Sequence, residues 1–198
     1  AEGMAASPAG GLIYARDIYL RAIKSPYSYN LWSFELAPDR HAPKKEADMW
    51  VDIGRLWSGV TRVDLLENFL QMVCEPPKVK TDESNNINME TMGIEPVSGK
   101  RYADIVKDNA SHWQTAWRNV FGDNAVIRTT NRWDGTVKHL GYISVGEQWA
   151  VRDTLSKVIT TDEELVRASQ ERLREVEVIP DARLTPRQLA HLKLARKI

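Results

Sequence analysis

The sequence predicts an all-α protein, a short solenoid of antiparallel helical hairpins. Three observations predict it. Residues 49–73 carry apolar side chains at 49, 50, 53, 56 and 57, then at 65, 66, 69, 70, 72 and 73. These are two helical faces back to back, with a turn near Gly59. Tyr102, Ile105 and Val106, followed by Trp113, Ala116, Trp117, Val120 and Phe121, repeat that arrangement. Finally, Ser144 with Glu147, Thr161 with Glu164 and Thr185 with Gln188 have the spacing of a reciprocal helix cap.

In chain order, residues 1–11 are mostly Ala, Gly, Ser and Pro and read as a flexible N-terminal arm. That leaves 12–198 as a single α-helical repeat domain. Leu12, Tyr19 and Ile23, with Ala15, Ile18 and Ala22 beside them, predict a helix over 12–23. Ser25-Pro26 ends it, because a residue before proline is pushed out of helical geometry. Residues 29–36 are a short apolar segment compatible with a helix. Pro38 and Pro43 bracket a polar turn, and Pro43 suits the first turn of a helix running to Trp57. Thr61, with Asp64 three residues on, is placed as the cap of the second helix.

Glu75-Pro76-Pro77 stops that helix, and 78–88 read as a polar connection, exposed and mobile. Ser98 caps the next helix and Gly122 closes the hairpin. Over 124–144 two readings stay open. Residues 126–130 favour a strand, with Asp134-Gly135 as a hairpin turn, whereas 136–140 read as a short helix. An irregular or helical connection is preferred, with an irregular or β-hairpin insertion around 125–143 as the alternative. Val151, Leu155, Val158 and Ile159 line the helix expected after Ser144, and Leu165, Ala168 and Leu173 the one after Thr161. Val178-Ile179-Pro180-Asp181 breaks the chain before the last helix, whose start carries Pro186 and whose end is basic.

Composition narrows the function. Lys plus Arg equals Asp plus Glu at 27 each, so the surplus cationic charge that drives nucleic-acid affinity is missing. No run approaches the roughly 18 apolar residues of a membrane span. The single cysteine, Cys74, excludes an internal disulfide and reads as a buried structural thiol. The chain begins Ala-Glu-Gly rather than with Met, which is compatible with removal of a targeting segment before Ala1 and equally with a sequence that is only part of a longer chain. Seven tryptophans favour large buried or interfacial aromatic contacts.

Motifs for chemistry are wanting. His41, His112, His139 and His191 are scattered, with no metal-ligand spacing. His112 reads as a polar residue at a helix start. Ser98-Gly99-Lys100-Arg101 reads as a cap rather than an anion site, and Asp162-Glu163-Glu164 as acidic residues favoured by a helix dipole rather than a catalytic pair. No catalytic, cofactor-binding or metal residues are expected. Trp50 and Trp57, and Trp113 and Trp117, each share a helical face. They are the candidate partner interface, against the plainer reading that they are core.

Residues 62–72 resemble the second helix of a pentatricopeptide (PPR) repeat. Met92-Gly93-Ile94-Glu95-Pro96 is similar to the turn of that family, and Tyr102-Ala103-Asp104-Ile105 to the start of its next helix. Residues 173–182 give a third echo. Pro76, Pro96 and Pro180 are not separated by multiples of the family period of about 35, so the repeats are degenerate. The resemblance implies a PPR/TPR-like α-solenoid. PPR proteins usually read RNA in organelles, about one base per repeat, and two or three degenerate repeats are too few for that. In overall character the chain resembles the PPR-like accessory subunit on the catalytic head of euglenozoan mitochondrial ATP synthase. The expectation is a non-catalytic, structural subunit on the matrix side of mitochondria, soluble or peripheral, whose partners are other protein subunits of a large complex that couples proton transport to ATP synthesis. Neither a membrane span, nor a small-molecule substrate, nor a nucleic acid is expected. The alternative is an organellar RNA-binding PPR-like protein or a mitochondrial ribosomal component.

Overall fold

Alternation, not helical periodicity, governs the start of the chain. In a computed structural model that describes residues 4–6, 10–75, 80–89, 99–147, 149–174 and 183–195, four strands come first. They are Met4–Ala6 (β1), Gly11–Ala15 (β2), Ile18–Ile23 (β3) and Tyr27–Leu31 (β4). Gly11, Ile13 and Ala15 alternate with half-buried neighbours, as do Tyr27, Tyr29 and Leu31, giving one face to the core. The order is β1-β4-β2-β3, with β2 parallel to β4 and antiparallel to β3. The helix expected over 12–23 is therefore a β-hairpin, and 29–36 begin as a strand. Its turn, Arg16-Asp17, has φ of 49° and 67°, the paired positive values that match strand twist. Arg and Asp supply no glycine signal there, so the turn is hidden in the sequence. Met4–Ala6 belong to the sheet rather than to a free arm, and residues 1–3 and 7–9 lie outside the described residues.

The three residues between β3 and β4 cross the start of β2. A Cβ on Gly11 would stand 2.4 Å from the Tyr27 carbonyl oxygen and 2.7 Å from Ser25 Cβ, so the crossing needs glycine beneath it.

Glu46–Ser58 (α1) and Val63–Val73 (α2) are the two helices expected there, but α2 packs against the helix Ala110–Phe121 rather than back along α1. Arg62, not Thr61, is the N-cap of α2, and no side chain caps it. Glu83–Asn86 (α3) follows after residues 76–79, which lie outside the described residues. Thr81, Glu83, Ile87 and Met89 are buried while Lys80, Asn85 and Asn86 are exposed, so the described part of the connection expected over 78–88 is anchored in the core rather than wholly exposed. Gly54 makes room for this segment, since its Cβ would lie 2.1 Å from the Asn88 carbonyl oxygen. Tyr102–Asp108 (α4) and Ala110–Phe121 (α5) follow as the second pair of helices, parted by Asn109 alone, with α5 closed at Gly122 at φ 94° and packed on α2. The expected Ser98 cap and the 92–96 turn lie outside the described residues.

An aromatic series joins sheet and helices. Tyr27 meets Trp57 at 5.2 Å between ring centroids, Trp57 meets Phe69 at 4.6 Å, and Phe69 meets Trp113 at 5.8 Å. Offset and edge-on contacts of this kind add to the burial of each ring.

A second small sheet contains Cys74–Glu75 (β5), Ala125–Ile127 (β6) and Ile143–Glu147 (β7), in the order β5-β7-β6. β6 and β7 are parallel, and parallel neighbours need a crossover. A 3-10 turn at Asn131–Trp133 and the helix Asp134–His139 (α6) supply it. Both competing signals in 124–144 are thus real, while Asp134-Gly135 opens a helix instead of turning a hairpin. Ser144 and Glu147 sit in β7, not in a helix cap, and the helix Trp149–Leu155 (α7) follows.

The helix Asp162–Arg174 (α8) starts with the reciprocal cap the sequence predicts. Thr161 N–H donates to Glu164 Oε2 at 3.0 Å, and Glu164 N–H to Thr161 Oγ1 at 3.2 Å. Pro186–Ala195 (α9) begins likewise, with Thr185 N–H to Gln188 Oε1 at 2.9 Å and Gln188 N–H to Thr185 Oγ1 at 3.4 Å. Contacts divide the chain into Ala1–Leu165 and Val166–Ile198, the second holding the rest of α8 and α9.

With 52% helix, 18% strand and two small sheets, the protein is mixed α/β. The all-α PPR/TPR-like solenoid is overturned, and with it a single α-helical repeat domain over 12–198. The helices at 63–73 and 102–108 exist, but sheets stand where a solenoid would stack further hairpins. No helix among the described residues is long and apolar enough to cross a membrane.

Candidate functional site

Three of the six exposed large hydrophobic side chains among the described residues gather at one end of the first sheet. Ile18 and Tyr19 open β3 and are 41% and 53% exposed, and Trp32, just past β4, is 54% exposed. The backbone beneath them is firmly held. Arg16 N–H donates to the Leu31 carbonyl at 3.0 Å, and the Arg16 guanidinium reaches the Trp32 carbonyl at 3.5 Å. Asn30 clamps the turn, accepting from Asp17 N–H at 3.1 Å and donating to Asp17 Oδ1 at 2.6 Å. The N–H groups of Trp32 and Ser33 both donate to Asp52 Oδ2 of α1, at 3.2 and 3.0 Å. Arg55 Nε donates to the other oxygen of that buried carboxylate at 2.7 Å. Trp32 therefore presents its ring outward from a fixed main chain, which lowers the entropy lost when a partner covers it.

Beside this cluster, residues 35–44 fold back on themselves. Lys44 N–H donates to the Glu35 carbonyl at 2.8 Å, Ala37 N–H to Ala42 at 2.9 Å and Arg40 N–H to Ala37 at 2.8 Å. Between this loop and the β2–β3 turn lies an open groove of about 590 Å³. Ile18, Leu36, Ala37 and Pro38 form its apolar walls, and Arg16, Arg40, Lys44 and Glu35 its charged rim. Lys44 Nζ sits 2.7 Å from Glu35 Oε2. That contact lowers the Glu35 pKa and raises that of Lys44. Arg16 and Arg40 have no carboxylate partner among the described residues. The outer edge of β3 has no strand partner among those residues either.

Two other concentrations of polar groups are turned inward. Glu83 is fully buried; Ser25 Oγ and Tyr29 OH both donate to its Oε1, the latter at 2.7 Å. Trp57 Nε1 donates to Tyr29 OH at 3.2 Å. Burial first, then the Glu83 charge, pushes the Tyr29 phenol well above its ordinary pKa and keeps it a donor. Ser25 Oγ also accepts Tyr27 N–H at 3.0 Å, so its hydroxyl is committed to tying 80–89 to the sheet. A mainly apolar cavity of about 480 Å³ adjoins it, between the β3–β4 crossing and Asn68, Gln71 and Met72 of α2.

The other concentration lies at the carboxyl ends of β6 and β7. Thr129 N–H and Oγ1 donate to Asp162 Oδ1 at 3.0 and 2.5 Å, and Arg152 Nε donates to Glu147 Oε1 at 2.5 Å. Glu147 Oε2 and Asp162 Oδ2 are buried without a hydrogen-bond partner. Burial raises the Glu147 pKa, against the hydrogen bond and charge of Arg152 and the charge of Arg128, while Asp162 adds to the rise. These groups fasten the start of α8 to the sheet. Among the described residues no group of three or more His, Cys, Asp or Glu is placed to hold a metal.

The tryptophans singled out in the sequence lie inside the chain. Trp50, Trp57, Trp113 and Trp117 are at most 4% exposed. Trp117 Nε1 donates to the Ala125 carbonyl at 3.0 Å, and Trp50 Nε1 to Glu46 Oε1 at 3.1 Å. Their rings serve the core, so a partner must use other side chains. Sequence reasoning passed over Ile18, Tyr19 and Trp32, although the alternation of 27–31 would have placed Trp32 next to a strand end. Of the other candidates, Cys74 is buried, His112 lies in the first turn of α5, and Lys100 pairs with Asp108 at 2.6 Å.

Comparison with known protein families, with curated proteins and with solved structures finds no match for this chain.

Proposed function

We propose that this chain is a non-catalytic docking subunit of a larger protein assembly. The observation that carries this reading is the Ile18, Tyr19 and Trp32 cluster, held outward on a backbone pinned by Asp52 and Asn30. Aromatic side chains on rigid supports are the usual anchors of protein interfaces, where a few such residues carry most of the binding energy. The inward-turned carboxylates support the same reading, because their hydrogen bonds hold segments of this chain together.

The overall character of the chain, rather than a motif, suggested the catalytic head of mitochondrial ATP synthase as the assembly, alongside short segments that resemble PPR helices. With the solenoid gone that likeness is confined to single helices, so ATP synthase is the first assembly in which to seek the chain rather than part of its definition. The test is native purification of the tagged chain from its source, with Trp32→Ser and Tyr19→Ser variants alongside. The expected outcome is co-migration in a defined complex that both substitutions weaken at least tenfold. Migration as a free 22.5 kDa monomer would end the docking reading.

A further inference from the structure

The groove beside that cluster carries charge as well as apolar surface, and its charge is one-sided. Glu35 is matched by Lys44, which leaves Arg16 and Arg40 as the unmatched charges on the rim. Both arginines lie in the left-handed backbone region, at φ 49° and 59°, where glycine or asparagine fits with less strain. Asp17, between Arg16 and β3, is the third non-glycine residue with positive φ among the described residues, and its side chain is committed to Asn30. The β2–β3 turn sets the φ of Arg16, yet at both positions the chain carries a cation where glycine would fit with less strain, and the two cations line one groove. Ile18 belongs both to the groove wall and to the open edge of β3, so the groove and the edge form one continuous surface.

Resting on the docking reading, we propose that the partner element is an extended, acidic segment of another protein. It adds to the outer edge of β3, and its carboxylates meet Arg16 and Arg40. The free N–H and C=O groups of an edge strand pair with any extended backbone, while side-chain pockets choose among them. Guanidinium groups receive carboxylates through two parallel hydrogen bonds, which fixes the register of the incoming strand. Ile18, Leu36 and Pro38 accept the apolar side chains that alternate with the acidic ones. Single-stranded RNA also uses cations and exposed aromatic rings. The observations favour the peptide, since the walls are aliphatic, the edge offers backbone pairing, and only two cations are unmatched.

The probe is a fluorescein-labelled eight-residue peptide alternating Glu and Val, measured by anisotropy against the full chain. The comparison probes are the same peptide with Lys for Glu, one with Pro at alternate Val positions, and a ten-nucleotide oligouridylate. The Glu/Val peptide should bind at least tenfold more tightly than the other three, and its affinity should fall as salt rises. Arg16→Gly and Arg40→Gly relieve the left-handed strain, so both variants should fold at least as well as the parent while losing fivefold or more in affinity. Equal binding of the Lys peptide, unchanged affinity in both glycine variants, or tighter binding of the oligouridylate would each overturn the proposal, the last in favour of RNA. The same glycine variants in the native purification separate this proposal from the docking reading. Assembly that needs Trp32 but not the two arginines sinks the acidic segment alone, and assembly that needs none of them sinks both.

Discussion

At the residue scale, the conflict between local preference and actual use is sharpest at Arg16 and Arg40. Each occupies a backbone conformation that costs an L-residue roughly 1 kcal/mol or more relative to glycine. Arg40→Gly should therefore raise unfolding free energy by about 1 kcal/mol in urea titrations. Glu147 makes a separate prediction. Its pKa is raised in the folded chain, mainly by burial, so between the ordinary glutamate value and the raised one the folded state holds more protons than the unfolded. Stability then falls as pH rises through that window and levels off above it. Glu147→Gln should flatten this part of the stability profile in urea titrations at stepped pH. A slope identical to that of the parent would show that the carboxyl titrates alike in both states.

At the scale of elements, close crossings decide what the chain can form. α1 tolerates the 87–89 segment only because Gly54 has no side chain. Gly54→Ala would drive a methyl group against the Asn88 carbonyl and should destabilise the protein by about 2 kcal/mol or more, read from the urea midpoint. The start of α8 rests on a cap the sequence announces and the structure contains. Thr161→Ala removes one half of it and should cost about 1 kcal/mol. Ser144 and Glu147 show the same spacing and cap nothing, because β6 claims that segment as a parallel partner.

At the scale of the molecule, the exposed cluster at the sheet end and the groove beside it form the surface we propose for a partner. A tightly held Trp32 and an open β3 edge make association an expected property of the native chain. Native purification, with and without Trp32, is its measure. The zero net charge conceals this asymmetry, since the cations of Arg16 and Arg40 are balanced by acidic residues elsewhere.

The sequence by itself determined the long amphipathic helices. The faces at 49–73 and 102–121 and the caps at Thr161 and Thr185 are all present, because helix hydrogen bonds and capping bonds are local. Their apolar spacing also put Trp50 with Trp57, and Trp113 with Trp117, on single helical faces, and in the fold those faces are buried. Only the tertiary structure decided the sheets. Residues 12–23 carry apolar side chains that satisfy either period, and their turn lacks the usual residues; β4, brought alongside by a crossing over Gly11, settles the choice. The proposed docking surface was hidden for the same reason. Exposure of Ile18, Tyr19 and Trp32 depends on which strand is the edge and on how Asp52, twenty residues past Trp32, holds the backbone. Hydrogen bonds between distant strands leave no periodic trace in sequence, so a site built on them becomes visible only in the fold.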